Sequence, residues 1–150
     1  MGLLPRGKQK NFYAFLVGIN KYEQKDINDL NGCINDVANI EAYLNLYCKK
    51  GSPFQLHKKI LLDEKATRKA IINGFRFFKK AEDGDICLFY FSGHGAQINA
   101  PEVFWKESDK LLEAIVCRKE KGKDNLLIDK ELSVLIHKAT QKKTIHFLAV

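Results

Sequence analysis

The residues best suited to chemistry follow the most continuous apolar run in the chain. Asp85 to Phe91 (DICLFYF) passes straight into Ser92, Gly93, His94 and Gly95. An imidazole titrates near neutral pH and can take or give a proton, and flanking glycines let the backbone approach a substrate closely. Gly95 also offers an unobstructed backbone N–H, the kind of donor an oxyanion hole uses. A turn histidine that only satisfies local backbone groups would carry the same four residues, so the pattern by itself leaves both readings open. His57 and His146 fall in predicted strands and His137 in a predicted helix, where structural or surface roles are expected. The four cysteines, Cys33, Cys48, Cys87 and Cys117, are far apart, with no CxxC pair and no histidine at ligand spacing. That argues against a zinc site and against a disulfide scaffold, and reduced thiols are expected.

The elements that must position His94 can be read from periodicity. Phe12 to Ile19 (FYAFLVGI) is a short aromatic and β-branched run that suits a strand buried on both faces of a parallel sheet. From Ile34 to Tyr47, Val37, Ile40, Leu44 and Tyr47 recur at three and four, and Gly51, Ser52 and Pro53 then break the pattern, which predicts an amphipathic helix. His57 to Leu62 reads as a second strand. Thr67 is a candidate N-cap for a helix whose inner face is Ile71, Ile72, Phe75 and Phe78, ending near Lys79 and Lys80. Asp85 to Phe91 is the expected central strand. Asp129 is expected to cap a third helix with Leu132, Leu135 and Ile136 inside, and Thr144 to Val150 reads as the next core strand. The order βαβαβαβ is that of an α/β domain with a parallel sheet. Between Ala96 and Asn125 no helical period is visible, and loops with one small hairpin are expected beyond the carboxyl ends of the strands, where open α/β sheets bind ligands.

Bulk properties exclude several classes. The longest apolar runs fall far short of the ~20 residues of a membrane span, so a soluble protein with no membrane partner is expected. Residues 1–11 carry Arg6, Lys8 and Lys10 but only Gly2, Leu3 and Leu4 in place of an apolar signal core, which points to a cytoplasmic location. We read residues 1–11 as a tail and 12–150 as one domain. The net charge of +7 raises the question of nucleic acid, but the lysines come in scattered pairs, Lys49–Lys50, Lys58–Lys59, Lys79–Lys80 and Lys142–Lys143. A nucleic-acid footprint clusters on one face, so no such partner is expected.

Several segments, in order and spacing, resemble metacaspases and bacterial caspase-like peptidases. They are Leu16 to Tyr22 (LVGINKY), Leu30 to Val37 (LNGCINDV), Leu62 and Asp63 with Ala66 to Arg68, Gly84 to Gly95 (GDICLFYFSGHG), and Ile128 to Leu132 with the last strand. The resemblance implies a caspase-like three-layer αβα fold with a mostly parallel central sheet, here the histidine-bearing part of the domain, ending after the strand that precedes the catalytic cysteine. It implies a cysteine endopeptidase in which His94 is the general base and acid partner of a cysteine thiolate, with the Gly95 amide as oxyanion donor. Ser92, Cys33 and Asp36 match positions that line the pocket for the residue before the cut, and an acidic group there selects lysine or arginine by charge. Caspases hold a substrate aspartate with an arginine near this segment, whereas Leu30 stands here, so basic specificity is expected. Without the resemblance, Cys33 reads as a small apolar residue near a helix start and Asp36 as a carboxylate favouring a helix N-terminus.

Two departures qualify the expectation. Of the acidic residues that can bind calcium in the family, Asp109 and Glu113 are kept, but Leu112 and Lys119 stand where aspartates are usual. Calcium needs six or more oxygen ligands, so no cofactor is expected and calcium only doubtfully. None of the four cysteines fills the nucleophile's position, which the family pattern puts beyond residue 150; Cys117 is the one conceivable substitute. The expected partner is a protein or peptide substrate. The alternative is a truncated, non-catalytic caspase homologue that binds or regulates another protein. The last strand is also expected to leave an unpaired sheet edge open to self-association.

Overall fold

A computed structural model describes residues 9–100, 111–141 and 143–150. Four parallel strands form the main sheet: β1 (Lys10–Gly18), β2 (Phe54–Leu62), β3 (Ile86–Ser92) and β7 (His146–Ala149), in the spatial order β2-β1-β3-β7. Strand alternation divides β1 between two cores. Phe12, Ala14 and Leu16 join Val37, Leu44 and Leu88 on one face, while Tyr13, Phe15 and Val17 join Phe75, Phe78, Cys87 and Phe89 on the other. The two-sided burial expected from the apolar runs is therefore what the sheet uses.

Helix α1 (Cys33–Tyr47) covers the first face. Its start lies so close to β1 that a Cβ on Gly18 would stand 2.9 Å from both the Cys33 carbonyl oxygen and Val37 Cγ2. Helix α2 (Arg68–Gly74) begins as expected, with the Thr67 hydroxyl accepting from the Ala70 N–H at 3.2 Å. The helix then tightens to 3₁₀ over Phe75–Lys80. This turn sets Phe75 and Phe78 against Phe15, with ring centroids 5.9 and 6.3 Å apart, and the packing outweighs continuation of the α-helix. Helix α3 (Asp129–Thr140) lies on the same side; its cap position is Ile128, one residue before the Asp129 expected, and Glu131 accepts from the Ile128 N–H.

Three expectations need adjusting. β1 starts at Lys10, two residues earlier than read, and β2 at Phe54 instead of His57, because the parallel register pairs Lys10 with Phe54 and carries on to Gly18 and Leu62. The segment after His94 is more regular than loops and one hairpin. β4 (Gly95–Asn99), β5 (Leu111–Val116) and β6 (Leu126–Ile128) form an antiparallel three-stranded sheet in that order. Arg118 joins this sheet to the main body: its N–H donates to the Ala66 carbonyl at 3.0 Å, and its buried guanidinium bonds the Lys21 carbonyl and the Glu23 carboxylate. No described helix is long and apolar enough to cross a membrane.

Candidate active site

The carboxyl ends of β1, β2 and β3 meet at one loop, residues 19 to 30. The Ile19 N–H donates to the Ser92 carbonyl at 3.0 Å, which continues the β1–β3 pairing to the point where the chains diverge. Beyond it the Asn20 and Lys21 N–H groups lose sheet partners, and Asp63, just past β2, accepts both through one carboxylate oxygen at 2.7 and 2.9 Å. Asp63 holds a left-handed φ of 42° to do so, a conformation that aspartate tolerates better than most side chains. The Asn20 side-chain oxygen takes the first N–H of α1, from Cys33, at 2.9 Å, and the Asn20 carbonyl takes the Leu30 N–H at 2.8 Å. Asp29 accepts from the Tyr22 N–H at 3.0 Å and from Lys21 Nζ at 2.9 Å. Those two bonds, the Tyr22 one foremost, hold the Asp29 carboxyl below its usual range.

This loop surrounds His94 on two sides. The His94 N–H donates to Tyr22 Oη at 2.7 Å, and the imidazole lies against the Tyr22 ring at 4.8 Å between centroids, tilted by 57°. His94 Nε2 is 2.8 Å from the Asn28 carbonyl oxygen. A carbonyl can only accept, so this bond assigns the proton to Nε2 and leaves the lone pair of the neutral ring on Nδ1. Gly93 has no room for a side chain: a Cβ there would stand 2.5 Å from Tyr22 Oη and 2.6 Å from Phe91 Cζ. The His94 carbonyl accepts from the Val116 N–H at 2.9 Å, which makes these two a hydrogen-bonded position of the β4–β5 ladder. Antiparallel alternation then directs the N–H of Gly95, opposite Ile115, away from β5.

A second constellation stands beside this one at the end of β3. Ser92 Oγ donates to Asp36 Oδ2 at 2.7 Å, bridging the strand to the first turn of α1, and Cys33 is buried at that helix start. Tyr90, two residues earlier on β3, is close enough that burial first and the Asp36 carboxylate second push its hydroxyl pKa up. Three of the residues singled out in the sequence, Cys33, Asp36 and Ser92, are thus gathered, while His94 and Gly95 form the neighbouring group.

Among the described residues, none of the four cysteines hydrogen-bonds to His94. Cys87 and Cys117 are fully buried, and burial pushes each thiol up to about 12, far from the thiolate a nucleophile requires. Cys117 is therefore removed as a substitute. Of the acidic positions considered for calcium, Asp109 lies outside the described residues and Glu113 accepts from Gln97 Nε2 at 2.9 Å; Leu112 is buried and Lys119 exposed. No group of three or more potential ligands gathers among the described residues.

Sequence reasoning missed Tyr22, Asn28 and Asp63 as parts of the site. Tyr22 and Asp63 lay within recognised segments, but only the folded loop brings Tyr22 to His94 and sets Asp63 against the Asn20 and Lys21 N–H groups. The one available signal was their position just past the carboxyl ends of two predicted strands.

Residues 13–149 match the family model described as metacaspase, peptidase C14 domain. The chain is similar to Metacaspase-1A of Aspergillus niger, 34% identical over 113 residues that cover 73% of this chain and 26% of that protein. It is 35% identical to Metacaspase-1B of Aspergillus terreus over 103 residues, 64% of this chain and 25% of that protein. Protein GSU0716 from Geobacter sulfurreducens superimposes with a TM-score of 0.70 at 25% identity, over 93% of this chain and 48% of that one. The Drosophila initiator caspase Dronc shares the fold, with a TM-score of 0.52 at 9% identity over 95% of this chain and 49% of that one. The chain thus spans about a quarter of the length of these curated relatives and about half of these solved chains.

Proposed function

The chain belongs to the metacaspase peptidase family, and from that premise we propose that it supplies the histidine side of a cysteine-peptidase active site cutting proteins or peptides after arginine or lysine. The observation that carries the reading is the fixation of His94: Nε2–H is held by the Asn28 carbonyl, so Nδ1 is free to act as base. The nucleophile is proposed to be a cysteine in sequence following Val150. In support, the Val150 carbonyl accepts from the Phe91 N–H at 2.9 Å, so chain continuing along that line would run level with Ser92, Gly93 and His94 on the adjacent strand.

Nδ1 of His94 takes the thiol proton, and the thiolate sulfur attacks the scissile carbonyl carbon. The Gly95 N–H, directed away from β5, donates to the resulting oxyanion. The imidazolium then gives its proton to the leaving amine, the C–N bond breaks and a thioester remains. A water, deprotonated by Nδ1, hydrolyses the thioester and regenerates the thiol. Asp36, oriented by the Ser92 hydroxyl, is proposed to attract the cationic side chain before the cut.

The test uses protein extended beyond Val150. Hydrolysis of Arg and Lys reporter peptides should be abolished by His94→Ala, and the 150-residue chain alone should show none. Turnover indifferent to His94→Ala, or preference for aspartate, would sink the proposal. For these 150 residues by themselves, the burial of Cys87 and Cys117 favours the second reading, a non-catalytic binding module. Partner capture that is unchanged by Asp36→Asn or His94→Ala would support it.

A further inference from the structure

We propose that Tyr22 is a positioning residue for His94, fixing the imidazole from the backbone side while the Asn28 carbonyl fixes it from the ring side; this rests on the catalytic reading of His94. Among the described residues Tyr22 is the largest fully buried side chain, although it lies in a loop beyond the end of a strand, between Lys21 and Glu23, which are both exposed. Burying a phenol costs free energy unless its hydroxyl finds a partner. The partner here is the His94 N–H, at 2.7 Å, and not a group of the core.

The geometry around this bond is specific. The His94 carbonyl is taken by the Val116 N–H, so the N–H and the carbonyl of His94 are held by two different elements, the loop and β5. A Cβ on Gly93 would come within 2.5 Å of Tyr22 Oη, so the hydroxyl occupies the space that a side chain before His94 would otherwise fill. The Tyr22 ring lies 4.8 Å from the imidazole, within the range at which an aromatic face favours a cation, and it therefore also suits the protonated state that forms during proton transfer. Burial pushes the Tyr22 hydroxyl up to about 12, so it is a neutral phenol near neutral pH.

The loop is itself braced to hold this position. Asp29 takes the Tyr22 N–H, Asp63 takes the Asn20 and Lys21 N–H groups, and Arg118 takes the Lys21 carbonyl. Both contacts of His94, through Tyr22 and through Asn28, thus come from the one loop of residues 19 to 30. A displacement of Tyr22 would move both.

The experiment compares Tyr22→Phe with Tyr13→Phe. The latter removes another hydroxyl bond, to the Lys80 carbonyl at 3.3 Å, at the far end of β1, and serves as the matched control. In the 150-residue chain, NMR reads the His94 amide and imidazole directly. Tyr22→Phe should speed His94 amide exchange about tenfold, as expected for loss of one hydrogen bond, and shift the ring resonances and their pH midpoint; Tyr13→Phe should do neither. In the extended protein, Tyr22→Phe should lower kcat about fivefold to tenfold with KM little changed. An unchanged His94 spectrum and exchange rate in Tyr22→Phe overturns the positioning role. Changed spectra in an extended protein with no His94-dependent hydrolysis would instead overturn the catalytic reading and keep the contact. Should Tyr22→Phe unfold the chain, Gly93→Ala, which crowds the same hydroxyl without removing it, must reproduce the His94 shifts, and failure to do so also overturns the proposal.

Discussion

If Asp36 selects cationic residues by charge, then Asp36→Asn in the extended protein should weaken cleavage after arginine far more than cleavage after citrulline, its uncharged isostere. Asparagine keeps the shape of the side chain and an oxygen able to accept from Ser92 Oγ, which now lies 2.7 Å from Asp36 Oδ2, so the substitution removes charge with little else. Asp36 is exposed at the first turn of α1, so its attraction for a cation is partly screened by water. Two unit charges ~4 Å apart attract by about 1 kcal/mol in water and about 4 kcal/mol at the effective dielectric of a protein surface. An exposed carboxylate lies toward the lower value, and about 1–2 kcal/mol corresponds to a fall of roughly 5- to 30-fold in kcat/KM for the arginine substrate. The citrulline substrate should change less than about twofold. The assay is kcat/KM for the two peptides in parent and variant, repeated at high salt. At ~1 M salt the screening length falls to ~3 Å, so the arginine preference should narrow in the parent and stay flat in Asp36→Asn. An arginine-to-citrulline ratio that is the same in parent and variant would refute the assignment of Asp36, whatever the absolute activity.

Three further outcomes can be measured on the 150-residue chain. Asp85, buried at the start of β3, accepts from the Asn11 and Glu82 N–H groups at 2.8 Å each; Asp85→Ala should cost about 3 kcal/mol in urea unfolding. Burial alone would raise the Asp85 pKa, but those N–H bonds, the Asn11 amide and the Lys10 charge hold it below the usual range. Its contribution to stability is therefore full above the ordinary carboxylate value and is lost as pH falls through the lowered folded-state value, and acid titration of Asp85→Ala should lack that component. Gly93→Ala should cost about 1–3 kcal/mol through the clash with Tyr22 Oη and Phe91, and a thermal midpoint equal to the parent's would contradict the packing. β7 is an outer strand of the described sheet, with Leu148 and Val150 exposed at 49% and 70%; the isolated chain should associate, and a monodisperse monomer in light scattering would argue against it.

The parts of the fold that were legible are those where burial is two-sided. Phe12 to Val17 and Cys87 to Phe91 read as strands because both alternating sets of side chains are apolar, and each set proves to serve its own core. The small sheet was obscure for the converse reason. Gly95–Asn99 (GAQIN) has alternating exposure, few apolar residues and a pairing partner that begins at Leu111, so its identity as a strand comes from a non-local ladder. The 3₁₀ turn at Phe75–Lys80 was read as a continuing helix because both periods put Phe75 and Phe78 on one side; the contacts with Phe15 and Phe89 decide between them. In the candidate site, His94, Gly95, Ser92, Cys33 and Asp36 were found through recognisable segments. Tyr22 and Asn28 were not, because their contacts with His94 depend on a loop whose shape is set by Asp29 within it and by Asp63 and Arg118 from two other parts of the chain.

That dependence follows from the sheet itself. In a parallel sheet the strands all end on the same side, and each ending leaves backbone N–H groups that have lost their ladder partners and must be satisfied in some other way. Here Asp63 satisfies Asn20 and Lys21, Asn20 satisfies Cys33, and Tyr22 satisfies His94. The same bonds that let β1, β2 and β3 stop also set the imidazole and the start of α1 side by side. Folding and the proposed chemistry therefore draw on one hydrogen-bond set at this end of the sheet, whereas the aromatic core around Phe15 and the clamp at Asp85 carry much of the stability elsewhere. Small changes at Tyr22 or Asp29 should for that reason disturb His94 more than they disturb the fold, while changes at Asp85 should do the reverse.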